Sequence, residues 1–419
     1  MFNSKSLVNM ALLVYDKLFI LGNSLLVGSL IVRYMGPEKY GNFSYLVIIV
    51  SISQVFVQLG LGNIVLKKLN QHKISDSIIL GSALALRIIS SSIGVICLLI
   101  FSLTLEVDSR IYLAIMASKL IFDSSEVINF WFQSNVKNIR IIISNNIVII
   151  FGAIFKLYFI YNTFPVISFV WLFLFESILT SILYFFSYYF SPYFLKLEFS
   201  YVVAKQLLKE SSPIFLTTIF IILLSRGSLL IIKQYLGATQ FAFYSVAQMI
   251  SDSLNILPMA IYSVSLPNLQ RMKNVSSRLY NWNLVRLMCF SFYGALFVSI
   301  LLSLFSRYLI NVLFGVHYNE STVVLQVLVF NLIPVTIAIV QSLWFNIENK
   351  NHLLLYQTII GGLLNFFLGL LLINRFGIVG GALSVVFSQF IALVVVNFLA
   401  PKILKFQLQA LLFPFKFLK

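Results

Sequence analysis

The sequence predicts an all-α protein that crosses a membrane many times, and three features carry this prediction: composition, long apolar stretches and the placement of positive charge. Of the 419 residues, 60% are hydrophobic and 10% are charged. The mean hydropathy is +0.98. A soluble domain carries more charged residues, about a quarter of the total, to cover its surface. Most of the surface of the present protein is therefore expected to face lipid rather than water.

Apolar stretches recur along the whole chain. A helix of about 20 residues rises about 30 Å, which is the thickness of the hydrocarbon core of a bilayer. The stretches are continuous and lack the alternation of a lipid-facing strand, so helices are favoured over a β-barrel. Twelve spans are predicted, at 11–32, 43–65, 78–103, 111–133, 141–161, 165–190, 212–235, 240–263, 287–306, 321–345, 353–373 and 379–399.

The positive charges predict the orientation of these spans. If the N-terminus is cytoplasmic and the spans alternate, the inner segments carry eighteen Lys and Arg residues and the outer loops carry five. The opposite orientation would reverse this ratio, against the tendency of positive charge to stay on the cytoplasmic side. Both termini are therefore predicted to be cytoplasmic. The net charge of +16 indicates topology and attraction to anionic lipid headgroups, not nucleic-acid binding.

No cleavable leader, cofactor or metal site is predicted. The first apolar stretch, 11–32, is followed by no small-residue cleavage site and serves as the first span. Cys97 and Cys289 lie inside predicted spans, where ordinary helix packing explains them. The three histidines show no metal-ligand spacing, and no phosphate-cradling Gly-rich loop occurs. The chain itself is therefore not expected to hydrolyse ATP.

An internal repeat divides the chain into two halves. A shift of 201 residues aligns 35–44 (MGPEKYGNFS) with 236–245 (LGATQFAFYS). A glycine, an aromatic, a small residue, a second aromatic and a serine match, each time at the turn after a long apolar helix. Two lobes of six spans, 1–205 and 206–419, are predicted. Because six is even, the lobes keep the same orientation around a central cavity, an arrangement typical of alternating access.

Motifs along nearly the whole chain are similar to those of a known family. The segment RYMGPEKYGNF at 33–43 resembles the signature of Wzx-type polysaccharide repeat-unit flippases, in the multidrug/oligosaccharidyl-lipid/polysaccharide superfamily. LFGVHY at 313–318, GLLN at 362–365 and RFGIVGGA at 375–382 resemble the C-terminal half of the same family. The resemblance implies a MATE-like fold with two lobes around a central cavity.

The resemblance also implies a function. The expected substrate is an undecaprenyl-diphosphate-linked oligosaccharide, an O-antigen or similar repeat unit, carried from the cytoplasmic to the periplasmic leaflet of a bacterial inner membrane. The protein would be a transporter and not an enzyme, with membrane lipids, a polysaccharide polymerase and a chain-length regulator as candidate partners.

Two alternatives stay open. A MATE-like antiporter for drugs or cations would favour anionic or aromatic pocket groups. A membrane-embedded polymerase or glycosyltransferase would need a large outer loop, and no loop exceeds about 20 residues.

Ionisable residues inside the predicted spans are the candidate functional residues, since a charge at the bilayer centre costs about 2.5–3.5 kcal/mol and usually faces the protein interior. Arg87, Lys156 and Arg226 lie in three such spans. They would line a cationic cavity for the diphosphate that the resemblance implies, because Arg offers a planar fork and Lys a compact charge to phosphate oxygens. The alternative is that each belongs to a structural ion pair. Lys119 and Asp123, four residues apart, are predicted to form such a pair.

Acidic and amide side chains complete the set of candidates. Glu176 and Asp252 are either ion-pair partners of Lys156 and Arg226 or protonatable coupling groups, and the sequence does not decide between them. Gln54 and Gln58 in the second span are candidate sugar contacts, or they hydrogen-bond neighbouring helices.

Overall fold

The structure is a computed structural model that describes residues 4–71, 73–135, 139–191 and 194–416. Within these ranges the chain is helical and contains no strand, which confirms the predicted all-α class. The α-helices are α1 (Ser4–Gln58), α2 (Leu61–Gln71), α3 (Asp76–Ser102), α4 (Val107–Phe122), α5 (Glu126–Ser134), α6 (Ile139–Tyr161), α7 (Val166–Tyr189), α8 (Tyr201–Ser253), α9 (Ile256–Val275), α10 (Ser277–Leu313), α11 (Ser321–Leu328), α12 (Leu332–Ile347), α13 (Asn351–Leu399) and α14 (Pro401–Lys416). Short 3-10 turns lie at Asp123–Ser125, Val316–Tyr318 and Val329–Asn331.

The three longest helices each contain one non-helical glycine. Gly36 in α1, Gly237 in α8 and Gly377 in α13 have φ angles of 71°, 84° and 59°. Only glycine enters this region without a steric cost, so each long helix is two helices that meet at a turn. Gly36 and Gly237, which the repeat aligns, also have similar ψ angles of 170° and −174°. The aligned segments therefore form the same kind of turn.

Four predicted spans that look continuous in the sequence are interrupted in the structure, namely 43–65, 111–133, 240–263 and 321–345. The span at 43–65 breaks at Leu59 and Gly60, which have φ angles of 53° and 64°. A methyl group on Gly60 would lie 2.8 Å from the backbone nitrogen of Phe215, so glycine permits the close approach of α8. The span at 111–133 is divided by the 3-10 turn at Asp123–Ser125. Hydropathy does not detect such breaks because the apolar environment continues on both sides of them.

The helices have the length and composition of membrane spans. Eight helical stretches in the described ranges are long and apolar enough to cross a membrane, with mean hydropathy between 1.9 and 2.5. Tyr201–Val275 and Asn351–Leu399 each contain two of the predicted spans, and Phe19–Gln71 contains the span at 43–65 and part of the span at 11–32. The chain is thus a multi-pass membrane protein. The count of twelve crossings stays a prediction.

Helix α10 shows how one span divides its surface between protein and lipid. Phe297 and Leu304 are 68% and 77% exposed, whereas Ala295 and Ser299 are buried. The Ser299 hydroxyl donates to the carbonyl of Val329 over 2.7 Å. Small residues allow helix backbones to approach one another, while large apolar side chains face the acyl chains. Helix α10 thus exposes large apolar residues and buries small ones, as expected for a helix that faces lipid.

The chain divides into two compact units, Met1–Ile219 and Phe220–Lys419. In the first unit α3 packs against α4, and α7 packs against both α4 and α6. In the second unit α10 packs against α12 and α14. The boundary between the units lies within α8. The predicted boundary between residues 205 and 206 lies earlier in the same helix, and the assignment of six spans to each lobe stays a prediction.

The segment after the last predicted span is an amphipathic helix, α14. It buries Ile403 and Phe406, while Lys402 and Lys405 are exposed. A chain of amide hydrogen bonds of 2.6 Å each then connects three helices, from Gln341 to Asn397 and from Asn397 to Gln407. The segment Pro401–Lys416 is therefore a packed part of the second unit.

Candidate functional site

Arg87 lies on α3 and is almost fully buried, with 2% of its side chain exposed. Its Nη2 atom donates to Oε2 of Glu126 on α5 over 2.9 Å, and Gln58 donates to the same oxygen over 3.4 Å. The Ser90 hydroxyl donates to the carbonyl of Val57 over 2.7 Å, which holds α3 against the end of α1. A buried guanidinium needs such a partner because desolvation of an unpaired charge is costly. In this pair the carboxylate, which is 37% exposed, is the group open to a ligand.

Lys156 on α6 faces α7. Its Nζ atom lies 2.7 Å from Oε1 of Glu176, and both side chains are about a fifth exposed, 23% and 22%. A methyl group on Gly152 would collide with the same carboxylate oxygen, so glycine makes room for the pair. A hydrogen bond of 2.8 Å from the Tyr184 hydroxyl to Asn145 also joins the two helices. The face of α6 that carries Asn145, Gly152 and Lys156 therefore packs against α7.

Arg226 and Asp252 lie on the two halves of α8, which meet at Gly237. The Nη1 atom of Arg226 is 3.2 Å from Oδ2 of Asp252. The two side chains are 35% and 41% exposed, so this pair is more exposed than either of the other two pairs. Gln248 donates to the carbonyl of Ser225 over 2.8 Å and fixes the two half-helices beside the pair. Arg226 is therefore the most accessible of the three predicted cations.

All three predicted cations lie beside a carboxylate, at distances of 2.7 to 3.2 Å. Pairing of this kind explains how the charges are tolerated among apolar helices. The structure places Glu176 and Asp252 beside Lys156 and Arg226, which is one of the two arrangements considered from the sequence. Sequence reasoning missed Glu126 as the partner of Arg87. Arg87 and Glu126 lie in consecutive predicted spans, and the need to pair each intramembrane charge is the signal that could have joined them.

The remaining sequence candidates lie close to these pairs. Gln58 contacts Glu126, and Gln54 lies one turn earlier on α1, half-buried. Their role as sugar contacts stays a prediction. The predicted pair of Lys119 and Asp123 is confirmed, with 2.8 Å between Nζ and Oδ2. Ser177 on α7 donates to the same carboxylate and thereby ties this pair to the neighbouring helix.

Sequence comparison relates the chain to proteins of polysaccharide biosynthesis. A family model described as "Polysaccharide biosynthesis protein" matches residues 30–323, well over half of the chain. The "Capsular polysaccharide biosynthesis protein CapF" of Staphylococcus aureus is 25% identical over 380 residues. That alignment covers 87% of this chain and 91% of the relative.

Structural comparison relates the whole fold to membrane transporters. The lipid II flippase MurJ, in an inward closed conformation, superposes with a TM-score of 0.73 at 16% identity, over 97% of this chain and 91% of that one. An inward-facing MATE multidrug transporter superposes with a TM-score of 0.71 at 14% identity, over 94% of each chain. Both likenesses confirm the MATE-like fold expected from the sequence. The chain belongs to the polysaccharide biosynthesis protein family, and it has the fold shared by MurJ and the MATE transporters.

Proposed function

We propose that this protein is a flippase that carries an undecaprenyl-diphosphate-linked oligosaccharide from the cytoplasmic to the periplasmic leaflet. The substrate would be the repeat unit of an O-antigen or a similar surface polysaccharide. The observation that supports the proposal most strongly is the match to a polysaccharide biosynthesis family in a chain with a transporter fold. Membership of that family supports a substrate that contains sugar, and the fold supports a transporter that carries a large polar headgroup across a membrane.

In this proposal the paired cations receive the diphosphate. An ion pair is neutral as a whole, so the carboxylate must be displaced, or take up a proton from the solution, before a phosphate binds the cation. Arg226 is the best placed of the three for such an exchange, because both members of its pair are more than a third exposed. Glu176 and Asp252 are candidates for proton coupling, because a carboxylate that takes up a proton during this exchange would link transport to protons. Gln54 and Gln58 would contact the sugar hydroxyls.

The proposal also assigns a location. The protein would lie in the bacterial inner membrane with both termini in the cytoplasm, and the excess of positive charge in the predicted inner segments supports this orientation. A polysaccharide polymerase and a chain-length regulator would act on the repeat unit after it crosses.

Deletion of the gene tests the proposal. We expect surface polysaccharide to disappear while its lipid-linked repeat unit accumulates on the cytoplasmic side, and we expect a plasmid copy to reverse both effects. Unchanged polysaccharide in the deletion strain would contradict the proposal.

A drug or cation antiporter is the second candidate, because the MATE transporters share the fold. It predicts a different result, namely greater drug sensitivity of the deletion strain with normal polysaccharide. Measuring drug sensitivity and polysaccharide in the same strains therefore separates the two functions.

A further inference from the structure

A basic pocket lies in the first unit, between α2 and the first part of α8. Its volume is about 540 Å³. Four lysines and a single glutamate leave a net charge of +3 on its lining. The lining residues are Ile64, Lys67, Lys68, Gln71, Lys73, Ile74, Gln206, Lys209, Glu210 and Pro213. In the sequence these lysines indicate topology alone, because nothing there brings residues 67–73 together with residues 206–210.

Two contacts hold the walls of this pocket together. At one end Gly60 allows the backbone of Phe215 to approach the turn between α1 and α2. At the other end Nζ of Lys68 lies 2.7 Å from Oε1 of Glu210, and only 9% of the lysine side chain is exposed. Gln206 donates to the same oxygen over 3.1 Å. The carboxylate of Glu210 is therefore engaged within the wall.

The other three lysines are open to a ligand. Lys67, Lys73 and Lys209 are exposed, and none of them forms an ion pair within the described ranges of the chain. All three line the same cavity, so their positive charges repel each other in the absence of an anion. Apolar side chains from Ile64 and Ile74 also line the cavity. An amphiphile with an anionic head suits this combination.

The position of the pocket indicates the depth of the ligand. The predicted span at 43–65 ends in α2, which forms one wall of the pocket. The predicted span at 212–235 begins in α8, which forms the other wall. The pocket therefore lies where apolar helix gives way to charge, at the level of the lipid headgroups. Lysines at this depth attract anionic headgroups.

We propose that this pocket binds a phosphate group at the membrane surface, carried by an anionic lipid. The site is distinct from the ion pairs of Arg87, Lys156 and Arg226. The proposal does not depend on the transport activity, because the charge, the volume and the walls of the pocket define a binding site whether or not the protein is a flippase.

Lipid retention by the purified full-length protein tests this site. The probe is labelled phosphatidylglycerol in nanodiscs of phosphatidylcholine. In a triple variant with Lys67→Gln, Lys73→Gln and Lys209→Gln, each lost charge should weaken binding about fivefold, and the three together about a hundredfold. The matched control carries Lys205→Gln, Lys402→Gln and Lys405→Gln, which removes three exposed lysines that do not line the pocket.

The control should retain phosphatidylglycerol as the unchanged protein does. Equal losses in the two triple variants would show general attraction to the charged surface and would overturn the proposal. Unchanged binding in the pocket variant would overturn it as well. Lys68 and Glu210 are left intact because they hold the wall, and matching thermal unfolding of the two variants establishes that both are folded.

Competition then identifies the source of the phosphate. Displacement by a polyprenyl diphosphate would show that the pocket accepts the lipid anchor of the proposed substrate. Displacement by inorganic diphosphate alone would show that the anion suffices without a lipid chain, and it would still support a phosphate site. No part of this assay measures translocation, so its failure would leave the proposed function standing, and failure of the deletion experiment would leave this site standing.

Discussion

Arg87 and Arg226 are both paired with carboxylates, but they differ in how far they are open to a ligand. Arg87 is 2% exposed and Arg226 is 35% exposed. A side chain with no accessible surface acts on a ligand only after the protein rearranges. We therefore expect the pair of Arg87 to contribute mainly to stability and the pair of Arg226 mainly to function.

The first prediction concerns stability. Glu126→Gln removes the charge that compensates the buried guanidinium of Arg87, and breaking a buried pair costs about 3–5 kcal/mol. The lower end is expected here because Glu126 itself is partly exposed. The variant should unfold at a lower temperature in detergent micelles. Glu38→Gln, which removes an exposed carboxylate, is the control. Equal unfolding temperatures for the two variants would show that the pair does not stabilise the protein.

The second prediction concerns transport and assumes the proposed function. Arg226→Ala should lower polysaccharide export while the protein remains at normal abundance, and Arg226→Lys should retain part of the activity because it keeps the charge without the planar fork. Surface polysaccharide and membrane abundance are measured in the same cells. Arg278→Ala, which removes an exposed arginine outside the predicted spans, should export normally. Normal export by Arg87→Ala, Lys156→Ala and Arg226→Ala would refute the cationic site.

At the scale of the elements, the glycine turns decide where a helix reverses. Three long helices bend at a glycine with positive φ, and the turn between α1 and α2 uses Gly60 in the same region. Hydrogen bonding inside a membrane keeps the chain helical almost everywhere. A residue that leaves the helical region without a steric cost is therefore the main local signal for a change of direction.

The third prediction compares two glycines that both have room for a side chain but differ in their backbone φ angle. No described atom lies within 4 Å of a methyl group placed on Gly237 or on Gly294, but only Gly237 has a positive φ, of 84°. Gly237→Ala should destabilise the protein by about 1–2 kcal/mol through backbone strain alone. Gly294→Ala, within α10, should be neutral or stabilising by up to about 1 kcal/mol. Thermal unfolding of both variants checks the difference, and a neutral Gly237→Ala would show that the turn adapts.

For the whole molecule, the sequence predicts no ATP hydrolysis by the chain, so the proposed transport is expected to draw on another source of energy. A diphosphate carries about two negative charges, and a cell interior negative by 100 mV offers about 2.3 kcal/mol for each charge that moves outward. Export of the headgroup would then gain about 4–5 kcal/mol. Protein cations that stay in place while the substrate moves would preserve this gain.

The fourth prediction tests that driving force. In vesicles with labelled lipid-linked repeat units, valinomycin with potassium should slow translocation by collapsing the membrane potential. Any remaining dependence on the pH gradient should disappear in Glu176→Gln or Asp252→Asn if either carboxylate carries protons. Asp123→Asn is the control, because it removes a carboxylate that is paired with Lys119 four residues earlier in the same predicted span. Translocation indifferent to both gradients would assign the driving force to consumption of the product and leave both acids with a structural role.

The sequence by itself determined the class of the protein, most of the helices and the position of the turns at Gly36 and Gly237. These are local properties, because an apolar stretch of sufficient length must be helical in lipid and a glycine at a turn needs no distant partner. The family resemblance was also readable, since its motifs are contiguous segments.

Tertiary structure decided which charges meet between helices, whereas the pair of Lys119 and Asp123, four residues apart, was readable from the sequence. Glu126 reaches Arg87, and Glu210 reaches Lys68 from a residue 142 positions away. Ion pairs and the basic pocket depend on how each helix rotates about its axis and which helix lies beside it. Hydropathy carries little information on either quantity, because lipid-facing and protein-facing residues of a membrane helix are both apolar.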